Sequence, residues 1–430
     1  MNDPRIAALL AQDAKDVEAL GVTRTPGFFV NDGVDSIWWK GKGSSLDFFN
    51  PAATAWWHWQ LDKLLIDQGV AGFKLDFGEN YLKRTGGKKG DNQGTIKTAK
   101  GEVPFQEYSE AYYHDFYRHG VAVRGADEFV TMVRPYDKSY EFEGRYFARP
   151  EHAPTSWVGD NRRDWFGFND ALDHIFRSAA HGYVVVGSDI GGYLNVDDQN
   201  LLTTIEADSE VFLRWTAVGA LTPFMQLHGR ANVTPWTIEG RSEEETVAAW
   251  RYWATLHREL IPFFYSLAEE AYTAGGPPIL RPEGALESWA GDYRFSLGEA
   301  FFAAPLVAPG NQREVALPPG RSYLDWWTGQ EIAGGTTVAI NMPDASRIPL
   351  YLKQGAIVPL DVTDDVTRLG DASSKDSLTV LVYPGPTSSR FVLHEDDRST
   401  HAIETVAPSA GAASIKVERA PRPVLLRVHG

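Results

Sequence analysis

The chain has 430 residues, a net charge of −16 and no cysteine. Without cysteine it can form no disulfide, thiolate metal site or thiol nucleophile, and its negative charge argues against nucleic acid as a partner. No stretch approaches the roughly 20 unbroken apolar residues of a membrane-spanning helix, so a membrane is not an expected partner either. The first five residues lack the pattern of a secretory signal, which favours a cytoplasmic location.

Aromatic residues are abundant, with 14 Trp, 17 Tyr and 22 Phe. Aromatic rings cover the apolar faces of sugars well, so a small-molecule carbohydrate is the first hypothesis for the ligand. A large aromatic core without any ligand explains the same composition equally well. The motifs have to decide between the two interpretations.

From residue 1 to about residue 290, amphipathic helical stretches alternate with short β-branched or aromatic runs. This alternation predicts β/α units with parallel strands. The predicted helices are 52–68, 105–119, 166–181, 207–217 and a long one near 242–272, and the predicted strands are 70–76, 128–133, 183–188 and 218–225. Only about five units can be counted, whereas a closed (β/α)8 barrel needs eight. The chain is therefore expected to be incomplete at its N-terminus.

Beyond about residue 295 the helical periodicity ends, and short alternating runs separated by Gly and Pro follow. This pattern predicts an all-β region, which the polar segment 361–376 divides in two. The predicted fold class is α/β, a (β/α)8-type TIM barrel followed by β-sandwich domains. The predicted limits are 1–295 for the barrel portion, 296–362 for a proximal β-sandwich and 375–430 for a distal β domain, with truncation of the last left open.

The sharpest candidate for chemistry is Asp76, which ends the apolar run Val70–Leu75. Functional side chains at the C-terminal ends of strands are typical of a barrel active site. Lys74 would favour the ionised carboxylate that a nucleophile requires. The structural alternative for Asp76 is a cap on the next helix, and the residues alone leave both alternatives open.

Asp160 is the second candidate, in the segment Ser156–Asn161 ahead of an evident helix. Hydrolysis of a glycoside with retention needs one ionised carboxylate as nucleophile and a second, protonated carboxyl group close by. Asp160 is the candidate proton donor. It could equally be the N-cap of the helix, and Trp157 could simply belong to the core.

Three further polar residues follow predicted strands, namely Arg134, Asp189 and His228. Asp189 lies in the glycine-rich turn Gly187–Tyr193 and is a candidate for binding sugar hydroxyls, with a loop anchor as the alternative. A lone histidine such as His228 is more often structural. The 11 histidines are scattered without zinc- or calcium-ligand spacing, and the acidic run His394–Asp397 is interpreted as a solvated turn, so no metal and no cofactor are expected.

Taken in order, these segments resemble glycoside hydrolase family 31, a family of α-glucosidases, α-xylosidases and α-galactosidases. Lys74–Glu79 is similar to the family's nucleophile motif, Trp157–Asn161 to its acid/base motif and Gly187–Tyr193 to its substrate-binding turn. The resemblance implies hydrolysis of a terminal α-linked sugar with retention and without a cofactor. It assigns the nucleophile to Asp76 and the acid and base to Asp160.

The same resemblance implies a substrate pocket around the two carboxylates. Its implied residues are Trp39, Lys74, Arg134, Trp157, Asp189, Tyr193 and His228. The family's N-terminal β-sandwich and first barrel strands are not found, so a dimer or a missing N-terminal segment is expected to complete the particle. Two alternatives stay open: a non-catalytic carbohydrate-binding or scaffold remnant, and a metal-dependent hydrolase with Asp76 and Asp160 as ligands.

Overall fold

The computed structural model describes residues 36–38, 41–43, 45–76, 82, 85–87, 93–139, 144–230, 234–285, 288–409, 412–420 and 422–428. The chain divides into two compact units, residues 1–138 with 142–154, and residues 139–141 with 155–430. Among the helices of the described ranges, none is both long and apolar enough to cross a membrane.

In its described residues the first unit combines short strands with two α-helices and a short 3-10 helix, Pro150–His152. Its strands are β1 Ser36–Trp38, β2 Gly41–Gly43, β3 Gly72–Leu75, β4 Thr95–Thr98, β5 Gly101–Pro104, β6 Val130–Val133, β7 Tyr136–Asp137 and β8 Arg145–Tyr146, and its helices are α1 Pro51–Leu65 and α2 Phe105–Arg124. Strands β3 and β6 run parallel, with Leu75 opposite Val133. The pairs β1–β2, β4–β5 and β7–β8 are antiparallel.

Helix α1 begins where its sequence provides both a cap and a proline. The Asn50 side chain accepts a hydrogen bond from the Ala52 N–H at 3.0 Å, and Pro51 fills the first helical position. Further along, Leu61 packs in one apolar cluster with Phe73 of β3 and Phe116 of α2. Successive side chains of a strand alternate between its faces, so the helices cover the Phe73 face of β3 and leave Lys74 on the opposite face.

The second unit begins with two short parallel strands, β9 Thr155–Trp157 and β10 Val186–Gly187. Its helices are α3 Trp165–Ala180, α4 Ser209–Ala220, α5 Glu243–Glu259 and α6 Ile261–Ala274. Asp164 caps α3, Asp208 caps α4, and Ser242 caps α5 through a reciprocal capping box with Glu245. Short polar side chains at these positions satisfy the free N–H groups of the first turn.

Most predicted helices and strands are confirmed, but 218–225 is not a strand. Helix α4 continues to Ala220, and residues 221–225 form no strand. All residues of 211–220 are buried, so this apolar run has no polar face whose period could distinguish a helix from a strand. The long helix near 242–272 is in fact two helices that meet at Leu260, because Pro262 has no N–H to bond the preceding turn.

Beyond residue 278 the described chain is built from β-strands and one 3-10 helix, Ala372–Ser374, so the β-strands begin before the predicted residue 295. The strands are β11 Leu280–Pro282, β12 Phe295–Leu297, β13 Phe301–Ala303, β14 Gln312–Ala316, β15 Ser322–Asp325, β16 Glu331–Ala333, β17 Thr337–Asn341, β18 Leu350–Lys353, β19 Ala356–Leu360, β20 Leu378–Tyr383, β21 Ser389–His394, β22 Thr400–Ser409, β23 Ala412–Val417 and β24 Val424–Val428. One sheet has the order β11, β12, β13, β18, β15, β16, and two others have the orders β19, β20, β24 and β21, β22, β23.

These sheets enclose two separate cores. Phe302, Tyr323 and Tyr351 belong to the first core, and Val380 and Ile403 belong to the second. Strand β19, which the sequence assigns to the proximal β-sandwich, pairs with β20 of the distal domain. The predicted domain limits themselves stay a prediction.

Candidate active site

Asp76 and Arg134 lie at the ends of two neighbouring parallel strands. Asp76 directly follows β3 and Arg134 directly follows β6, and the last residues of these strands, Leu75 and Val133, lie opposite each other. Parallel strands bring the residues that follow them to the same edge of a sheet. The Arg134 Nε accordingly donates to Asp76 Oδ1 at 2.8 Å. Two of the sequence candidates of the first unit therefore form one ion pair.

The two members of this pair differ in burial. The Arg134 side chain is completely buried, whereas the Asp76 side chain is 56% exposed. Arg134 also donates through Nη1 to Asp137, whose carboxylate is fully buried. The buried guanidinium thus joins a structural carboxylate to an accessible one. Its positive charge lies directly against the Asp76 carboxylate.

Lys74 and Trp39 are the other candidates from this part of the sequence. Lys74 lies on the exposed face of β3, two residues before Asp76. Trp39 lies outside the described residues, as do residues 77–81 that follow Asp76. The alternative role of Asp76 as a cap on the following segment therefore stays open.

Asp160 lies in the loop that follows β9, three residues beyond Trp157. Trp157 is completely buried at the end of the strand, and Asp160 is partly exposed. The cap of the next helix is Asp164, whose carboxylate accepts from the Gly167 N–H at 3.0 Å. Asp160 is therefore not the N-cap that was its structural alternative.

The loop of Asp189 is fixed by contacts that require glycine. Gly187 ends β10, and a Cβ atom there would lie 1.8 Å from the Phe224 carbonyl oxygen. This close approach lets the Ile190 N–H donate to the Gln226 carbonyl at 3.1 Å. The Gln226 side-chain amide also donates to the Asp189 carboxylate, which is fully buried.

A second glycine joins this loop to the loop of Asp160. Gly192 has a φ of +82°, and a Cβ there would meet the Arg162 carbonyl oxygen and the Arg163 Cα, both at 2.4 Å. Next to it, the Tyr193 ring lies 5.2 Å from the His228 ring, centroid to centroid. The structure thus gathers Asp189, Tyr193 and His228 around loops that contact the Asp160 loop.

The candidates therefore fall into two groups, one in each compact unit. The first unit holds Asp76, Arg134 and Lys74, and the second holds the remaining described candidates around Asp160 and Asp189. A carboxylate can attack an electrophilic carbon, and a partly exposed carboxyl group can exchange a proton with a bound substrate. In the described ranges no set of three or more His, Asp or Glu residues is arranged to hold a metal ion.

Sequence reasoning missed two residues of these groups. Asp137 was not singled out, although it follows Arg134 by three positions beyond the end of a strand, which is a detectable signal for an ion pair. Gln226 lies two residues before His228, in a segment in which the histidine is the only predicted site residue. Its contact with Asp189 depends on Gly187, and no local pattern reveals that approach.

Comparison with known proteins gives the family. Residues 5–267 match the Glycosyl hydrolases family 31 TIM-barrel domain, and residues 278–358 match the Glycosyl hydrolase family 31 C-terminal domain. Alpha-glucosidase 2 of Bacillus thermoamyloliquefaciens is 26% identical over 383 residues, which cover 85% of this chain and 44% of that enzyme. The 1,6-alpha-glucosyltransferase of Sporosarcina globispora is 28% identical over 281 residues, which cover 60% of this chain and 21% of that enzyme.

The fold agrees with solved structures. The cycloalternan-forming enzyme of Listeria monocytogenes, in complex with a pentasaccharide substrate, superposes with a TM-score of 0.77 at 22% identity, covering 95% of this chain and 38% of that one. The chain thus spans less than half the length of these relatives. The predicted fold class, a TIM-barrel domain followed by C-terminal β-structure, is confirmed. The chain belongs to glycoside hydrolase family 31.

Proposed function

We propose that this chain carries the catalytic residues of a retaining α-glycoside hydrolase, which releases a terminal α-linked sugar through a covalent glycosyl-enzyme. The observation that carries the proposal is the ion pair between Asp76 and Arg134 at the ends of adjacent parallel strands. Family membership supports the reaction class.

In the first step, an oxygen of the Asp76 carboxylate attacks the anomeric carbon of the substrate. The bond between that carbon and the glycosidic oxygen breaks, and Asp160 gives its proton to the departing oxygen. Arg134 orients the Asp76 carboxylate for the attack through the hydrogen bond from its Nε. The partial exposure of both carboxyl groups supports this assignment, because a reacting group has to be reachable by the substrate.

In the second step, water replaces the enzyme carboxylate. The ionised Asp160 removes a proton from the water, the water oxygen bonds to the anomeric carbon, and the ester bond to Asp76 breaks. Two inversions at the same carbon give net retention. In this proposal Asp189, His228 and Arg134 hold substrate hydroxyls, and Trp39, Trp157 and Tyr193 form the walls of the pocket, with Lys74 beside the nucleophile. Among the described residues of this set, Lys74, Tyr193 and His228 are accessible, whereas Arg134, Trp157 and Asp189 are buried.

The decisive test is Asp76→Asn, assayed on aryl α-glucosides and α-xylosides. An amide cannot form the glycosyl ester, so turnover should fall by on the order of a thousandfold or more. Asp67→Asn, an exposed aspartate in the turn before the same strand, is the matched control and should keep full activity. Near-native turnover by Asp76→Asn would refute the assignment.

Asp160→Ala separates the acid role from a merely structural one. Aryl glycosides with good leaving groups need little protonation, so they should lose far less activity than a disaccharide does. Equal losses on both substrates would contradict the acid role. Proton NMR of the first product anomer then shows whether the configuration is retained.

A second candidate function is transfer of the sugar to another sugar. The similarity to a 1,6-alpha-glucosyltransferase supports it, because transfer differs from hydrolysis only in the acceptor that opens the glycosyl ester. Products formed at high disaccharide concentration distinguish the two functions. Trisaccharide formation faster than release of free sugar would favour the transferase.

The division into domains is part of the same proposal. The two family matches span residues 5–267 and 278–358, so the second ends close to the proposed boundary near 362, whereas the division between the two matches lies before the proposed boundary near 295. A dimer stays a prediction as well. Size-exclusion chromatography with light scattering of the 430-residue chain tests it directly.

A further inference from the structure

The second unit contains a groove of about 900 Å³ that shares no lining residue with the candidate active site. Helix α5 forms one wall, and the others are formed by residues that follow β15 and β17, by residues 366–369 and by the end of β24. Its volume lies in the range of small-molecule sites, which is roughly 300–1,000 Å³. The groove is therefore large enough for a mono- or disaccharide.

One wall of the groove is aromatic and held in place. Tyr252, Trp326 and Trp327 line it, and all three are partly exposed. The Trp326 Nε1 donates to the Tyr252 hydroxyl at 2.9 Å, and the Trp327 Nε1 donates to the Ile348 carbonyl at 2.7 Å. Because both indole N–H groups are used within the protein, the rings meet a ligand with their apolar surfaces. The Arg347 guanidinium already lies over the Trp327 ring, 4.8 Å from its centroid, so a ligand contacts the remaining exposed surface of the wall.

The groove also carries positive charge that its own carboxylates do not neutralise. Arg241, Arg368 and Arg427 line it, and none of them forms an ion pair with any residue in the described ranges. The lining carboxylates have partners of their own. Asp344 pairs at 3.1 Å with Arg347, a fourth arginine of the lining, and Asp325 accepts hydrogen bonds from its own turn. Glu245 accepts a hydrogen bond from the Ser242 N–H at 3.2 Å in the capping box of α5. A cationic surface of this kind is unusual in a chain of net charge −16.

We propose that this groove is a second ligand site, which binds an anionic sugar, meaning a sugar that carries a phosphate or carboxylate group. The apolar face of the sugar ring would lie on the aromatic wall, and the anionic group would be bound by Arg241, Arg368 and Arg427. A neutral sugar would leave the arginines unused, and a free anion would leave the rings unused. The preference for a sugar over another ring-bearing anion rests on the proposed function, whereas the charge and the aromatic wall do not.

Calorimetric titration of the full chain tests the proposal with five probes. These are glucose 6-phosphate, glucuronate, glucose, inorganic phosphate and AMP. Glucose 6-phosphate or glucuronate should bind at least about tenfold more tightly than glucose and phosphate do, because only they use both surfaces. The tighter of the two identifies the anionic group. Raising the salt concentration should weaken their binding, since the arginines are exposed.

Matched variants locate the bound sugar. Arg368→Gln and Arg427→Gln should each weaken binding of the anionic sugar by about tenfold, the effect of losing one charge-assisted contact. The control should be an arginine with a similar backbone conformation, because Arg368 has a φ of +64°. Arg419 has a φ of +48°, is exposed and does not line the groove. Arg419→Gln should therefore bind the anionic sugar normally.

Asp76→Asn separates this proposal from the proposed catalytic function. Binding that survives Asp76→Asn but is lost in Arg368→Gln belongs to the groove, whatever the catalytic assays give. The proposal is overturned if neither anionic sugar binds at millimolar concentration, if AMP binds more tightly than both, or if glucose binds equally well. Loss of binding in Asp76→Asn with normal binding by the arginine variants would also overturn it.

Discussion

The two groups of candidate residues are held in different ways. Around Asp76, the side chain of Arg134 does the positioning through ion pairs with Asp76 and Asp137. Around Asp189, backbone segments approach so closely that Gly187 and Gly192 cannot carry a Cβ atom. A group held by charge can be weakened while the chain still folds, whereas a group held by backbone contact is expected to form only with the fold itself.

The largest expected effect comes from Gly192→Ala. The new Cβ would lie 2.4 Å from two backbone atoms of the Asp160 loop, so the loops must separate, and we expect a loss of more than about 4 kcal/mol or failure to fold. Gly182→Ala is the matched control, because Gly182 has a φ of +99° and no atom within 4 Å. It should lose only about 1–2 kcal/mol. Urea unfolding followed by circular dichroism measures both, and equal losses would contradict the role of crowding.

The second-largest effect is expected from removing the arginine that holds Asp76 and Asp137. Arg134→Met leaves the fully buried Asp137 carboxylate without its guanidinium, and we expect a loss of about 3–5 kcal/mol in the free energy of unfolding. The double variant with Asp137→Leu should recover part of this loss, because no buried charge then remains. If the double variant is less stable than Arg134→Met, the pair is not the source of the effect.

The buried carboxyl group of Glu259 can be compared with that of Asp137, because no ion pair of Glu259 is found among the described residues. Glu259, at the end of α5, is fully buried; it accepts a hydrogen bond from Thr367 at 2.7 Å, and its Oε1 has no hydrogen-bond partner among the described residues. Burial raises the pKa of Glu259 from its ordinary value of 4.5 to about 7. Between these values the folded chain holds a proton that the unfolded chain releases. The resulting stabilisation is complete below pH 4.5 and is lost as the pH rises through about 7.

Glu259→Gln should abolish this pH dependence. The wild-type chain should lose up to about 3 kcal/mol more stability than the variant between pH 4.5 and pH 8. Denaturant midpoints at several pH values measure this difference. Glu244→Gln, an exposed position on the same helix, should follow the wild-type curve. Parallel curves for Glu259→Gln and the wild type would rule out titration of this carboxyl group.

The smallest expected effect is on stability in Asp76→Asn. Its side chain is 56% exposed, and an asparagine oxygen can still accept from Arg134, so the free energy of unfolding should change by less than about 1 kcal/mol. The same variant is expected to lose turnover. A large loss of stability would mean that Asp76 supports the fold as Arg134 does, and the two-group comparison would fail.

Local chemistry made much of the fold predictable. Asn50, Asp164, Asp208 and Ser242 each cap a helix near its predicted start, because a short polar side chain before an apolar period is a local signal. The segment 218–225 is not a strand as predicted, because complete burial removes the polar face whose period distinguishes a helix from a strand. Pro262 was a visible signal for the break at Leu260, and the long helical pattern obscured it.

The candidate site was predictable to the extent that its residues follow strands. Asp76 and Arg134 were found because each ends an apolar run, and their contact follows from parallel pairing. The contact between Gln226 and Asp189 was not predictable, because it joins residues 37 positions apart through a turn without regular structure. Glycines signal that some close approach occurs, but they do not indicate which segment approaches.

The close approach at Gly187 also affects how the sequences of relatives should be interpreted. Any descendant of this chain that still folds in this way needs a glycine there, whether or not it still hydrolyses a sugar, since the Phe224 carbonyl oxygen leaves no room for a side chain. An exposed aspartate such as Asp76 is free to drift once selection for turnover ends. In a lineage that lost its activity, the glycine at this turn should therefore be retained longer than the nucleophile. A sequence that contains the turn thus shares the fold and the ancestry of this chain, but the turn alone does not show that it is an active enzyme.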